Sequence, residues 1–221
     1  MNGWYDNPGE TGCIFTSILP AWSNINLYRI AEKVKSKLIF AHVRATTGNT
    51  STSESNCHPW QFGSLMWMHN GDIAEFPKIK RKLVSNLTHD AYSNIQGTTD
   101  AEHAFAVFIS HPSLLNFAVT DGVSVVCTRY ISSKKYEAAS LFFSSGSEFK
   151  SEKDGQYKMV RSNKKDKSFV IASEPLTFER NDWIAIPTNT LLVITPKLNI
   201  LMYPIKDKHF STEKRTTATY L

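Results

Sequence analysis

The spacing of apolar residues along the chain changes at about residue 114. Before that point, apolar positions recur at helical spacing over 27–34, over 76–87 and after Thr99. Asn26 is placed to cap the first of these helices, and Thr99 with Glu102 forms the pattern of a capping box for the third. After residue 114 the chain consists of short runs typical of β-strands, several of them separated by turn residues. The pattern therefore predicts helices early in the chain and strands late.

Two strands are also predicted within the helical half. In "KLIFAHVRA" (37–45) the alternation has a period of two, so Phe40, His42 and Arg44 share one face. Arg44 comes at the end of this strand, beside a loop rich in Thr, Gly, Asn and Ser, where functional side chains are common. An ordinary surface arginine explains the pattern equally well.

The second of these strands is the apolar run 65–68, which is followed by His69, Asn70 and Gly71. An apolar run of this kind is typical of a buried strand. Asn-Gly is also the strongest two-residue signal for a type I′ hairpin turn, because both residues tolerate positive φ. From this stretch alone, a turn is the favoured interpretation and a functional site is the alternative.

Asp100 follows the predicted cap Thr99 and lies in the first turn of the third helix. A carboxylate at that position stabilises the helix N-terminus by roughly 0.3–1 kcal/mol, which explains the residue without any ligand. A binding role for Asp100 therefore depends on what the rest of the chain indicates.

The order of the predicted elements indicates the fold class. Helices early and strands late favour an α+β architecture of two antiparallel sheets with helices packed outside them. The sequence contains neither repeats nor a low-complexity linker, and its 221 residues suffice for one sizeable core. We therefore predict a single domain over residues 1–221.

Composition and charge narrow the possible functions. The formal net charge is +5, but Lys and Arg are scattered, and the densest cluster, at 161–168, is typical of a solvated loop. Nucleic acid is therefore not a predicted partner. The three cysteines form no CxxC pair, so neither a disulfide framework nor a zinc site is indicated, and a reducing compartment fits best. No apolar run nears the ~18 residues that a membrane span needs, so we predict a cytoplasmic protein without a membrane segment.

Four separated segments together resemble a known family. They are "FAHVRATTG" (40–48), "NCHPW" (56–60), "MHNGDI" (68–73) and "GTTDAE" (97–102). Their order and spacing resemble the class II glutamine amidotransferases, a family of N-terminal-nucleophile hydrolases. With "ASEPLTFERNDW" (172–183), they are most similar to the amidotransferase-like subunits of fungal glutathione-degradation complexes. The resemblance covers almost the whole chain.

The resemblance implies a fold, a substrate class and a set of roles. The fold would be an αββα sandwich of two antiparallel sheets with outer helices, and the substrate a γ-glutamyl amide, glutathione first and glutamine next. Arg44 matches the arginine that binds the α-carboxylate, and Asp100 matches the acid that pairs with the α-ammonium. Asn70 and Gly71 match the oxyanion hole, and His69 would line the pocket or hold the neighbouring loop. Neither a cofactor nor a metal is implied.

The chain departs from the family pattern at two places. The family nucleophile is an N-terminal cysteine whose thiol is activated by its own α-amino group, whereas this chain begins Met1-Asn2-Gly3. The first strand of the sandwich is therefore expected to be missing. A helix-rich segment that the subgroup carries beyond residue 110 is also expected to be missing.

These departures bear on activity. Cys13 lies inside the chain without a free amine, and Cys57 with its neighbour His58 is interpreted as structural, because adjacent residues of an extended chain point to opposite faces. We therefore predict that the 221-residue chain, truncated at its N-terminus, is inactive alone. The resemblance implies γ-glutamyl hydrolysis in a complex with a metallopeptidase-like subunit. The alternative is a catalytically inactive binding or scaffold subunit, or a fragment.

Overall fold

A computed structural model describes residues 1–7, 9–43, 51–110, 117–152, 156–162 and 167–216. Contacts divide the chain into two compact units, Met1–Val126 and Cys127–Leu221. All the site residues predicted from the sequence belong to the first unit.

The first unit alternates strands with helices. Its elements are β1 (Asn2–Trp4), β2 (Cys13–Phe15), α1 (Ile25–Lys33), β3 (Ile39–Ala41), β4 (Trp60–Phe62), β5 (Leu65–His69), α2 (Phe76–Val84), α3 (His89–Ser93), α4 (Asp100–Ser110) and β6 (Phe117–Thr120). Asn24 caps α1, because its Oδ1 accepts hydrogen bonds from the backbone N–H groups of Asn26 and Leu27 at 3.1 Å each. The prediction of Asn26 as the cap is therefore wrong by two residues. Both asparagines precede the apolar stripe, and the pattern does not separate them.

Two groups of antiparallel strands form the sheets of this unit. β1 lies between β2 and β3. β5 lies between β4 and β6, with Trp67 opposite Trp60 on one side and Val119 on the other. β6 pairs with β5 as far as His69, and β4 pairs with Leu65–Trp67, so neighbouring strands lie along both edges of β5.

Successive side chains of β5 pack on its two faces, as the alternation of a strand requires. Trp67 is fully buried and stacks on Phe117 of β6 and on Phe105 of α4, with ring centroids 4.3 Å and 5.4 Å apart. Met66 is also fully buried and packs on Phe40 of β3 in a separate cluster. Burial on both faces holds β5 in place, and with it the start of the segment that carries the predicted site residues.

The second unit is built mainly from strands. β7 (Val125–Arg129) contains the division between the units. The later elements are β8 (Phe142–Gly146), β9 (Glu148–Ser151), β10 (Tyr157–Val160), β11 (Ser168–Ala172), β12 (Ile184–Ala185), β13 (Thr190–Ile194) and β14 (Ile200–Pro204). β8 lies between β11 and β12, while β9 pairs with β10 and β13 with β14, each pair antiparallel. The guanidinium of Arg129 donates to the backbone oxygens of Ala138, Ala139 and Ile186 at 2.6–2.9 Å, which ties its neighbouring loops together.

These elements confirm an α+β fold with antiparallel sheets. The helices α1–α4 come early, as predicted, but β1–β5 also lie within the first 69 residues, so strands are not confined to the late part of the chain. The apolar run 65–68 is the buried strand β5, as predicted, and the capped helix predicted after Thr99 is α4. In the described ranges, no helix combines the length and the apolar character that crossing a bilayer requires.

Candidate functional site

The chain bends directly after β5, at Asn70 and Gly71. Of these two residues only Gly71 has a positive φ, +134°, and the helix α2 follows at Phe76 in place of a returning strand. The predicted type I′ hairpin is therefore wrong, because that turn requires positive φ at both central residues. His69 is buried at the end of β5, whereas Asn70 is exposed. An exposed carboxamide and a glycine thus follow immediately on a rigid strand.

Asp100 ties this bend to the start of α4. Its Oδ2 accepts a hydrogen bond from the backbone N–H of Ile73 at 2.7 Å, and its Oδ1 accepts one from the N–H of Ala101 at 2.9 Å. The bond to Ile73 spans 27 positions of the sequence. Each carboxylate oxygen offers about two lone-pair sites, so both oxygens retain the capacity to accept a further donor.

The end of β3 also meets the end of β5. The Nε2 atom of His42 lies 3.3 Å from the backbone oxygen of His69, and since a carbonyl oxygen only accepts, this nitrogen carries the proton. The His42 ring stacks on the ring of His58, with centroids 4.0 Å apart. Arg44, two positions after His42 in the sequence, lies outside the described residues. The structure therefore brings together the bend and Asp100, and places the end of β3 beside the same bend.

Three consecutive backbone N–H groups before α4 are bound by side-chain oxygens. Glu102 Oε1 accepts from Gln96 and Glu102 Oε2 accepts from Gly97, both at 2.8 Å. Asn56 Oδ1 accepts from Thr98, also at 2.8 Å. We call residues 96–98 the clamped segment, because Glu102 and Asn56 together fix its backbone directly before Asp100.

The capping box predicted for α4 is formed only in part. The backbone N–H of Glu102 donates to Thr99 Oγ1 at 3.2 Å, as expected of such a box. The Glu102 carboxylate, however, turns to the clamped segment instead of the backbone N–H of Thr99. The loop before α4 folds back over the helix N-terminus, so the Glu102 carboxylate accepts from two backbone N–H groups of that loop, those of Gln96 and Gly97.

Burial shifts the pKa values of two ionisable groups of α4. Burial raises the pKa of Glu102, against the opposing effect of the N–H groups of Gln96 and Gly97. Burial lowers the pKa of His103, against the opposing effect of a 2.7 Å hydrogen bond between its Nδ1 and the backbone oxygen of Thr99. Because that oxygen accepts, Nδ1 of the neutral imidazole carries the proton.

The two buried cysteines do not have the environment of an activated thiol. Burial raises the pKa of Cys57, the nearby Met1 ammonium opposes this, and the Cys57 thiol lies 3.5 Å from the backbone oxygen of Ser53. Burial raises the pKa of Cys127 to about 12. Cys13 is exposed. An activated thiol has a lowered pKa, which neither Cys57 nor Cys127 has.

Two other features, possible metal-binding groups and a cavity, do not extend the candidate site in the described residues. Within the ranges that the structure describes, no group of three or more His, Cys, Asp and Glu side chains is arranged to hold a metal ion. A cavity of about 340 Å³ occurs in the second unit, lined by residues 187–190 together with Met202 and Phe210 among others. None of the predicted site residues lines it.

The sequence interpretation did not single out Asn56, and it assigned Glu102 only to the capping box of α4. Both lie inside segments that carry the family resemblance, at the start of "NCHPW" and at the end of "GTTDAE". The sequence held one signal for this contact. Gly97 has no side chain, so the segment that contains it can approach Asn56 of the other segment closely.

Comparison with known proteins identifies the family of this chain. No protein-family model matches the sequence. The chain is 42% identical over 247 aligned residues to the probable glutamine amidotransferase DUG3 of Saccharomyces cerevisiae, covering 91% of this chain and 69% of the yeast protein. A glutamine aminotransferase class-II domain protein from Silicibacter pomeroyi has the same fold, with a TM-score of 0.69 and 22% identity over 93% of this chain and 92% of that one. The chain therefore belongs to the glutamine amidotransferase family and has the fold of a class II domain.

Proposed function

We propose that this chain binds the α-amino-acid head of a γ-glutamyl compound at the bend after β5. The proposed reaction of its family is hydrolysis of the γ-glutamyl bond of that compound. Glutathione is the favoured substrate and glutamine the next. The observation that carries the proposal is the hydrogen bond between Ile73 and Asp100, because it holds a carboxylate at the bend that presents Asn70 and Gly71.

Hydrolysis of a γ-glutamyl amide requires recognition of two charges and of one developing oxyanion. Asp100 would pair with the α-ammonium through the lone pairs that Ile73 and Ala101 leave open. Arg44 would bind the α-carboxylate, a task that suits a planar group with two parallel donors. The exposed Asn70 carboxamide and the Gly71 N–H would stabilise the oxyanion.

The proposal includes the αββα sandwich of the N-terminal-nucleophile hydrolases. Support comes from the first unit, where α4 packs on one face of β5 through Phe105 and Trp67, and β3 packs on the other through Phe40 and Met66. This order of helix, sheet and second sheet corresponds to three of the four layers of such a sandwich.

A catalytically inactive binding or scaffold role is the second candidate. The observation that favours it is the raised pKa of the buried thiols Cys57 and Cys127, neither of which is activated for attack. In either role, the proposed partner is a metallopeptidase-like subunit and the proposed location is the cytoplasm. The binding of the amino-acid head is common to both candidates.

Calorimetric titration of the 221-residue chain with L-glutamine, glutathione and D-glutamine tests the shared binding step. We expect weak binding of the L-compounds and a lower affinity for D-glutamine. Arg44→Lys should weaken binding, because an ammonium keeps the charge and loses the two-pronged geometry. Arg161→Lys is the matched control, since Arg161 pairs with Asp182 in the second unit. Equal affinity for both glutamine enantiomers would reject the proposed recognition.

A further inference from the structure

The strand β14 of the second unit has one edge that no strand covers in the part of the chain that the structure describes. On its other side it pairs with β13, from Thr190 opposite Pro204 to Ile194 opposite Ile200. We call the uncovered side the outer edge of β14. An exposed strand edge is a template for pairing with a further strand, because its backbone donors and acceptors have no protein partner.

The two ends of the β13–β14 ladder show which residues bond to each other across it. At one end the N–H of Ile205 donates to the backbone oxygen of Asn189 at 2.7 Å. At the other end the N–H of Thr195 donates to the backbone oxygen of Asn199 at 3.0 Å. Bonded and unbonded pairs alternate along an antiparallel ladder, so every second residue counted back from Ile205 turns its backbone groups towards β13.

The remaining residues of β14 present their backbone groups to the outer edge. They are Ile200, Met202 and Pro204. Ile200 and Met202 each offer an N–H and a C=O, whereas Pro204 offers only a C=O, because proline has no backbone N–H. The backbone groups of Met202 therefore lie at the centre of the outer edge.

Apolar side chains are exposed on both faces of β14. Leu201 and Tyr203 share one face and are 40% and 50% exposed, and Met202 on the opposite face is 46% exposed. Covering these side chains would remove apolar surface from water, which is favourable. An extended strand would cover both faces and would also satisfy the backbone groups of the outer edge.

We propose that the outer edge of β14 pairs with β14 of a second copy of this chain, antiparallel about a two-fold axis at Met202. The two Met202 residues exchange both of their backbone hydrogen bonds, as a bonded pair of an antiparallel ladder does. The N–H of Ile200 donates to the C=O of Pro204 in the other copy. The missing N–H of Pro204 costs this arrangement only a bond to Ile200 C=O, which stays in water.

The residues of β14 complement one another under this symmetry, which is why the occupant is a second copy. Leu201 lies opposite Tyr203 of the other copy on each side of the axis, an aliphatic–aromatic pair of the kind that stabilises sheets. Beyond the strand, the same order brings Lys197 of each copy to Asp207 of the other, so opposite charges meet. A parallel pairing in register would instead set Lys197 against Lys197 and Asp207 against Asp207. The pairing is independent of the proposed binding site, to which no residue of β14 belongs.

The test uses Met202, because on a two-fold axis this side chain faces its own copy. Met202→Lys sets two ammonium groups against each other, and Met202→Glu sets two carboxylates against each other. We expect each variant alone to have a dimer dissociation constant more than about tenfold above that of the wild type, measured by sedimentation equilibrium. An equimolar mixture of the two variants should associate again, because lysine then faces glutamate.

Leu176→Lys and Leu176→Glu are the matched controls, since Leu176 is 53% exposed in the second unit and lies outside β14. They should dimerise like the wild type. If a Met202 variant does not fold by circular dichroism, Leu201→Lys and Tyr203→Glu make the same test one position from the axis. Their mixture pairs the new lysine with the new glutamate and should associate more strongly than either variant alone.

Three results would overturn the inference. The first is a wild-type chain that stays monomeric over the whole range of protein concentrations. The second is a dimer that the Met202 variants leave intact, because such a dimer uses another surface. The third is dissociation of both variants without association in their mixture, because Met202 would then contact something other than its own copy.

Discussion

The backbone N–H of Ile73 donates a 2.7 Å hydrogen bond to Asp100, so the carboxylate that would bind a ligand ammonium also holds the main chain of the bend. A second backbone donor, Ala101, occupies its other oxygen at 2.9 Å. The bond to Ile73 needs only an acceptor at this position, whereas the ligand needs a negative charge. Substitutions can therefore separate the two roles of Asp100.

Asp100→Asn keeps a carbonyl oxygen for the Ile73 N–H, loses the second acceptor that Ala101 uses, and removes the charge. We expect at least about a tenfold loss of affinity for L-glutamine, since a charge-assisted bond becomes a neutral one. Asp100→Ala removes the acceptor as well and should also lower the free energy of unfolding by about 1–3 kcal/mol. Calorimetry and urea unfolding measure the two effects, with the exposed Asp90→Asn in the first turn of α3 as the control. Equal affinities for wild type and Asp100→Asn would contradict the assignment.

Gly71→Ala should destabilise the protein through its backbone. At φ +134° an L-residue is strained by about 1–3 kcal/mol. Space is not the cause, because the added Cβ would meet only the His69 ring, at 3.7 Å and 3.8 Å. Urea unfolding should show the loss of stability, and binding of L-glutamine should weaken because the bend reorients. A variant as stable as the wild type would show that the bend tolerates another conformation.

The 221-residue polypeptide should release no glutamate from glutathione or glutamine. None of its three cysteines combines a thiol with a free α-amine. Reaction with a chromogenic disulfide near neutral pH should be fast at the exposed Cys13 and slow at Cys57 and Cys127, whose pKa values are raised by burial. Glutamate release that one cysteine-to-alanine variant abolishes would identify a relocated nucleophile. Release unaffected by all three variants would overturn the thiol mechanism.

Stability should fall in acid partly because of His103. Burial lowers its pKa below 6.5, so between its folded-state pKa and 6.5 the unfolded chain takes up a proton that the folded chain does not. The free energy of unfolding therefore drops as the pH falls through 6.5, and this contribution is absent above that range. His103→Asn keeps a donor for the Thr99 oxygen and should flatten the slope between about pH 7 and about pH 5.

The control for this pH experiment is His89→Asn, because His89 is exposed at the start of α3. Glu102 acts in the opposite direction, since burial raises its pKa and its cost grows as the pH rises above 4.5. That cost is present in both proteins and cancels in the comparison. An unchanged slope in His103→Asn would show that other groups carry the acid sensitivity.

Hydrogen exchange should distinguish the two clamps on the clamped segment. The N–H groups of Gln96, Gly97 and Thr98 are bound to side-chain oxygens and should exchange more slowly than typical loop amides. Glu102→Ala should accelerate the first two, and Asn56→Ala should accelerate Thr98. Fast exchange of all three in the wild type would show that the clamp opens readily in solution.

The local sequence pattern was sufficient to predict strand β5 but not the conformation of the bend after it. Four consecutive apolar residues at 65–68 predict a buried strand, and Met66 and Trp67 are fully buried. Asn-Gly predicts a hairpin, but that signal concerns only the two residues of the turn. Whether a hairpin forms depends on which strands lie beside β5, and β6 pairs with it as far as His69 while β4 pairs with Leu65–Trp67. Their positions are a long-range property that no local motif expresses.

In the candidate site, too, the local features were predicted from the sequence and the long-range contacts were not. Asp100 was placed correctly in the first turn of α4 by the cap before it. Its bond to Ile73 was not predicted, because it depends on where β5 delivers the bend. The Glu102 carboxylate was assigned to the cap and instead binds residues 96 and 97, since the loop folds back over the helix. The convergence of Arg44 with these residues stays a prediction.

The clamped segment has a consequence for the lengths of related chains. Glu102 binds the N–H groups six and five positions before it, and those bonds span a fixed number of residues. An insertion or deletion anywhere between Gln96 and Glu102 would move one of these amides out of reach and would leave a buried carboxylate without its donors. Relatives that keep the glutamate should therefore vary in residue type within this stretch but never in its length.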